Sequence, residues 1–203
     1  MEPVEAPEEF AAGLVHLQAV LDGPVRRGLS LRVVPAPRRM APFSFAVAAE
    51  VSRDGDDVAS GRFVVLHDPD GQDGWQGDTR VVAFVEAQVE AEMAADPALA
   101  DVGWSWLLEA LEQRGVAHRA AGGTVTRTVS KRFGALQDDG DDPAEDAALA
   151  DDDSEVEVRA SWTALAGDDG LALGGHLLAW CDLLCSTAGL PPDGVVALHP
   201  RSG

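Results

Sequence analysis

Three runs of alternating apolar and polar residues constrain this chain more than anything else in it. Phe43, Phe45, Val47, Ala49 and Val51 alternate with Ser44, Ala46, Ala48 and Glu50, the period-two pattern of a strand with one buried face. Asp54-Gly55 follows at once. That dipeptide suits the positive φ angles of a two-residue hairpin turn, so Val58 to Leu66 should return antiparallel to the first run. Arg80 to Val89 supplies a third long strand, with Val81, Ala83, Val85, Ala87 and Val89 on one side. Strands joined by hairpins build an antiparallel sheet, which excludes a fold of alternating βαβ units.

The remaining segments extend that sheet and cover it. Gly28 to Val34 reads as a short strand halted by Pro35 and Pro37, and Pro35 to Pro42 as a proline-stiffened loop. After Gly122-Gly123, the run TVTRTVSKRF predicts a strand with Thr124, Thr126, Thr128 and Ser130 along one solvated face. Glu155 to Thr163 predicts another, with Val156, Val158, Ala160 and Trp162 inward. Helical spacing appears three times: Glu8 to Leu21, Asp101 to Gln113, and Leu171 to Ala188. In the second helix Trp104, Leu107, Leu108 and Leu111 share a face and Trp106 falls opposite. The third carries a stripe of Leu173, Leu177, Cys181, Leu184 and Ala188 with Trp180 at its edge. The expected fold is therefore α+β, a mainly antiparallel sheet of about six strands with three amphipathic helices packed mostly on one face. At 203 residues, 46% of them apolar, there is material for a single domain with one sizeable core.

One stretch departs from this composition. Gln137 to Asp153, QDDGDDPAEDAALADDD, holds nine acids and no base, too little apolar content to fold alone, and reads as a flexible acidic insert. The whole chain has a formal net charge of -20, which repels phosphate backbones and anionic lipid headgroups, so nucleic acid is not an expected partner. The acidic opening MEPVEAPEE is unlike a signal peptide, and no apolar run reaches the length of a membrane span. These features predict a cytoplasmic protein with no membrane contact. They leave its oligomeric state open.

Little in the sequence carries chemistry. Leu66 to Val82, LHDPDGQDGWQGDTRVV, crowds His67, Asp68, Asp70, Asp73 and Asp78 around glycines and Trp75. A calcium loop would place its glycine later, close with a glutamate and lie between helices; here the flanks are strands, so a turn is expected. Cys181 and Cys185 lie four apart in one helix, poorly placed for a disulfide and short of further metal ligands. Ser105 in GWSWL lacks the closing glycine of a nucleophile elbow. The histidines, His16, His67, His118, His176 and His199, have no metal-ligand spacing. No catalytic residue, metal site or cofactor motif emerges.

Two features point to contacts instead. Arg26, Arg27, Arg32, Arg38 and Arg39 gather five of the fifteen basic residues within fourteen positions beside the proline loop. They either neutralise nearby acids or dock an anionic or acidic partner, for which the guanidinium fork is suited. Trp75 and Trp106 are further candidate binding residues; Trp106 is either covered by a loop or anchors a protein partner.

The segments SGRFVVLHDPDGQDGWQGDTRVV, ADPALADVGWSWLLEAL, AAGGTVTRTVSKRFG and LLAWCDLLCSTAGLPP together resemble the uncharacterised actinobacterial domain-of-unknown-function family three thousand, over nearly the whole chain. The absence of Ile, Asn and Tyr, with one lysine against fourteen arginines, fits a high-GC genome. The resemblance implies a single domain and brings no activity or catalytic residue with it. Two readings follow from the residues: a non-catalytic interaction or regulatory module, or a small-molecule binder or enzyme with a pocket between sheet and helices lined by Trp75, Trp104 or Trp162.

Overall fold

The computed structural model describes residues 6–37, 39–130, 153–168 and 170–190. Its frame is a six-stranded antiparallel sheet of β1 (Leu29–Val33), β2 (Phe43–Arg53), β3 (Asp56–Gln72), β4 (Gly77–Gln88), β5 (His118–Ser130) and β6 (Asp153–Ala164), in spatial order β1-β2-β3-β4-β6-β5. The hairpin signal holds. Asp54 and Gly55 have φ of 57° and 104°, as a two-residue turn between Arg53 and Asp56 needs. Ser130 pairs with Asp153, so β5 and β6 also form a hairpin. The acidic insert of Gln137 to Asp153 lies outside the described residues except for the backbone of Asp153.

The alternation settles which face is buried. Val47, Ala49 and Val51 of β2, Phe63 and Val65 of β3, Val81, Val85 and Ala87 of β4, and Val156, Val158 and Trp162 of β6 all point to one side and are nearly inaccessible to water. On that side lie α1 (Glu8–Asp22), α3 (Leu99–Gln113) and α4 (Leu173–Thr187). The central helix is α4, flanked by α1 and α3 and lying on β2, β3 and β4. Two short elements were not apparent in the sequence: a one-turn helix α2 (Ala91–Ala95), and a small hairpin of β7 (Ala166–Gly167) with β8 (Gly170–Leu171).

Because α4 is enclosed by its neighbours, it is buried nearly all round rather than along one stripe: Leu173, His176, Leu177, Trp180, Cys181, Leu183, Leu184 and Cys185 are all inside. A helix apolar on every side is a core helix. Its close seat depends on Gly61 of β3, where a Cβ would stand 2.8 Å from both the Phe84 carbonyl oxygen and the Trp180 ring. The space lets Trp180 lie on the sheet and donate its indole N–H to the Phe84 carbonyl at 3.2 Å. Full burial of a side chain of this size contributes about 3 kcal/mol.

Three expectations are corrected. Leu108 does not share the buried face of α3; it is 40% exposed, and Gly103, Leu107, Ala110 and Leu111 form the buried side. Trp104 and Trp106 do not divide into a core ring and an outward ring, since both are half-buried and packed against the main core. The Asp/Gly-rich segment is more strand than turn: β3 continues to Gln72, and only Asp73 to Gln76 make the turn into β4.

Candidate functional site

Among the described residues, no helix lies on the second face of the sheet. Strand register converts its side chains into rows that run across the strands. One row reads Val34, Ala46, Val64, Val82 and Ser161, the first held beside Ala46 by its backbone N–H. Ala46 and Val64 are buried with Leu66 beneath Val34, Ala36, Ala41 and Trp75, so the proline loop and the β3–β4 turn cover that end. The next row is Arg32, Ala48, Arg62, Phe84, Arg159 and Thr124, one residue from each strand. The row after it is Ser30, Glu50, Ser60, Glu86, Glu157 and Thr126. A basic stripe therefore lies directly against an acidic stripe, each carrying three charges.

The stripes are joined by ion pairs. Arg159 donates from Nε and Nη2 to the two carboxylate oxygens of Glu157 at 2.6 and 2.9 Å, and its guanidinium stands 5.4 Å from the centre of the Phe84 ring. That pairing pushes the Glu157 carboxyl below its ordinary range. Arg32 donates to Glu50 at 3.3 Å. Arg62 gives one N–H to the Pro35 carbonyl at 2.8 Å and has no carboxylate partner among the described residues. These groups are solvated, so each pair adds little stability by itself. Beyond the acidic stripe, Glu155 is pushed up by partial burial, by a hydrogen bond and repulsion from Glu86, and by repulsion from Glu157. Glu50, Asp57, Glu86 and Glu155 line a shallow hollow of about 250 Å³ there.

The arginines singled out in the sequence do not converge. Arg32 is in the basic stripe. Arg26 is on the helical side, half-buried beside Cys181 and Cys185; Arg27 and Arg39 are exposed in loops, and Arg38 lies outside the described residues. The arginines that do join Arg32 come from β3 and β6, thirty and more residues away in sequence. Trp75 caps the small apolar cluster and its carbonyl accepts the hydroxyl of Thr163. Trp106 packs against the main core. Nor do Trp75, Trp104 and Trp162 line one pocket, since Trp162 is inaccessible in the core and Trp75 is across the sheet from it. The row of Thr124, Thr126 and Thr128 lies on the open face, as its alternation required.

His67, His176, Ser105 and Asp68 each make a hydrogen bond within the fold. His67 is buried, stacked on Phe10 at 4.8 Å, with Nδ1 2.8 Å from the Thr79 hydroxyl, which donates to Asp78. Burial lowers its pKa against the opposing pull of Asp78, Glu9 and Asp68. The Trp162 indole donates to His176 Nδ1 at 3.1 Å, which puts the imidazole proton on Nε2. Burial, then the charge of His118, lowers the His176 pKa to about 4. Burial pushes the Cys181 thiol up, so it stays protonated, and Ser105 bonds the Val102 carbonyl of its own helix. Asp68 is consumed by Asp70 N–H and the Gln72 amide. Among the described residues no three His, Cys, Asp or Glu side chains could hold a metal ion.

A family model described as protein of unknown function (DUF3000) matches residues 6–196. The chain belongs to that family. The match spans every described element, from α1 through α4, so the striped face lies wholly within the family's domain. No curated protein and no solved structure matches the chain. Among the described residues no helix is long and apolar enough to cross a membrane.

Proposed function

We propose that this member of the DUF3000 family is a non-catalytic contact module, working in the cytosol, that docks a protein partner through the open face of its sheet. The observation that supports this reading most is the pair of adjacent stripes, Arg32, Arg62 and Arg159 beside Glu50, Glu86 and Glu157. Patterned charge of both signs fixes register and rejects mismatched surfaces, which is what a protein interface asks of its polar groups. Burial of His67, His176 and the Cys181 thiol argues against their doing acid, base or nucleophilic work, since that needs a group within reach of substrate. The net charge of -20 argues against nucleic acid.

Co-purification from the native cell tests the proposal with three baits: the wild type, Arg62→Glu with Arg159→Glu on the open face, and His16→Glu on the exposed side of α1 as control. Partners retained by wild type and control but lost by the face variant are the expected result. The same set recovered from all three would overturn the reading. A second reading has one observation in its favour, a cavity of about 230 Å³ on the helical side lined by Val25, Leu29, Leu178 and Cys181 with Arg26 and the Arg114–Asp182 pair at its walls. That combination suits a small amphiphilic anion. A ligand thermal-shift screen in which Arg26→Met abolishes the shift would support it.

A further inference from the structure

Resting on the contact-module reading, we infer that the partner of the striped face is a second copy of this chain, docked sheet to sheet about a two-fold axis. The axis lies between the two stripes and parallel to them. Such a rotation keeps each residue's place along the stripe and exchanges the stripes, so the basic row of one copy meets the acidic row of the other, twice. The register then fixes who meets whom. Arg62 of β3 lands over the other copy's Ser60, between Glu50 of β2 and Glu86 of β4. Arg159 of β6 lands over Glu157, and Arg32 of β1 over Ser30 beside Glu50. No arginine faces an arginine.

Three further points support a self-complementary contact. A two-fold interface must use one patch on both molecules, and this patch carries three charges of each sign in two rows that the rotation interchanges. The same axis leaves the strands of the two sheets aligned, the common arrangement for stacked sheets. Arg62, which has no carboxylate partner within its own chain among the described residues, gains two. Six strands at about 4.8 Å and three or four rows at about 7 Å give roughly 600–800 Å² per copy. That is the low end of specific interfaces, so dissociation in the micromolar range or weaker is expected.

The test is charge exchange in the purified full chain. One variant carries Arg32→Glu and Arg62→Glu, which makes both stripes predominantly acidic; the other carries Glu50→Arg and Glu86→Arg, which makes both predominantly basic. Thermal unfolding first establishes that each is folded. Sedimentation velocity over a concentration series should show a reversible dimer for the wild type, at least tenfold weaker association for each variant alone, and a restored dimer when the two variants are mixed. A wild type that stays monomeric, a dimer indifferent to either variant, or a mixture that fails to re-form it would each overturn the inference. Failure here is separable from failure of the contact reading. A different protein recovered only through an intact face would sustain that reading while removing the second copy.

Discussion

The two faces of one sheet, built from the same strands, answer to different rules. On the helical side Val47, Phe63, Val85 and Val158 are buried under α4, and each contributes by being removed from water. On the other side Arg62, Glu86 and Arg159 remain wet and gain little from one another locally. The first face stores stability; the second stores a pattern. Mutations should therefore separate the two, with large stability losses on one and small ones on the other.

The largest effect is expected at Cys181, 5% exposed in the middle of α4. Cys181→Asp puts a carboxylate where even a thiol is held neutral, and should cost more than about 4 kcal/mol or abolish cooperative unfolding. Denaturant unfolding checks it against Arg62→Ser, which should lie within about 0.5 kcal/mol of wild type. Comparable losses at the two positions would erase the distinction between the faces.

Acid should next attack the buried face through His176. Its folded pKa of about 4 is below the ordinary 6.5, so the unfolded chain binds the proton more readily. The contribution is fully present above pH 6.5, declines as pH falls through the interval to about 4, and amounts to about 3 kcal/mol. His176→Gln keeps an acceptor for the Trp162 indole and should flatten this part of the pH profile. An unchanged slope would move the acid sensitivity to another group, His67 being the nearest in kind.

How legible was this in the sequence? The buried face was, because period-two alternation at Phe43 to Val51 and Glu155 to Thr163 is a local signal that needs no partner strand. The open face was not. Arg32, Arg62 and Arg159 stand far apart in the chain and become neighbours only through register, set by the Asp54-Gly55 turn and by bulges such as the one at Val51/Ser52. Local density pointed to Arg26, Arg27, Arg32, Arg38 and Arg39, yet of these Arg32 alone is placed in the basic stripe, while Arg26 lies on the helical side. Trp104 and Trp106 show the same limit. Helical spacing separates them, yet both are half-buried, so Trp104→Ala and Trp106→Ala should each cost about 2 kcal/mol rather than diverge, as parallel thermal melts would show.

The smallest expected effect lies within the open face and has the opposite pH sense to His176. Glu155 has its folded pKa raised above 4.5, first by partial burial and then by Glu86 and Glu157. A raised carboxyl favours the protonated form in the folded state, so its contribution is fully present below the ordinary carboxylate value and is lost as pH rises through the folded one. At neutral pH the group is a small liability. Glu155→Gln should therefore stabilise the protein at neutral pH by a few tenths of a kcal/mol, about the scale of a surface charge change, and confer no advantage in acid. Glu86→Gln should do the same by withdrawing the neighbour, and the double variant should gain less than the two singles together because one repulsion is being removed twice. Denaturant midpoints for the four proteins at both pH values measure this directly. Additive gains, or gains that persist in acid, would mean that the acidic end of the open face does not act as a coupled group.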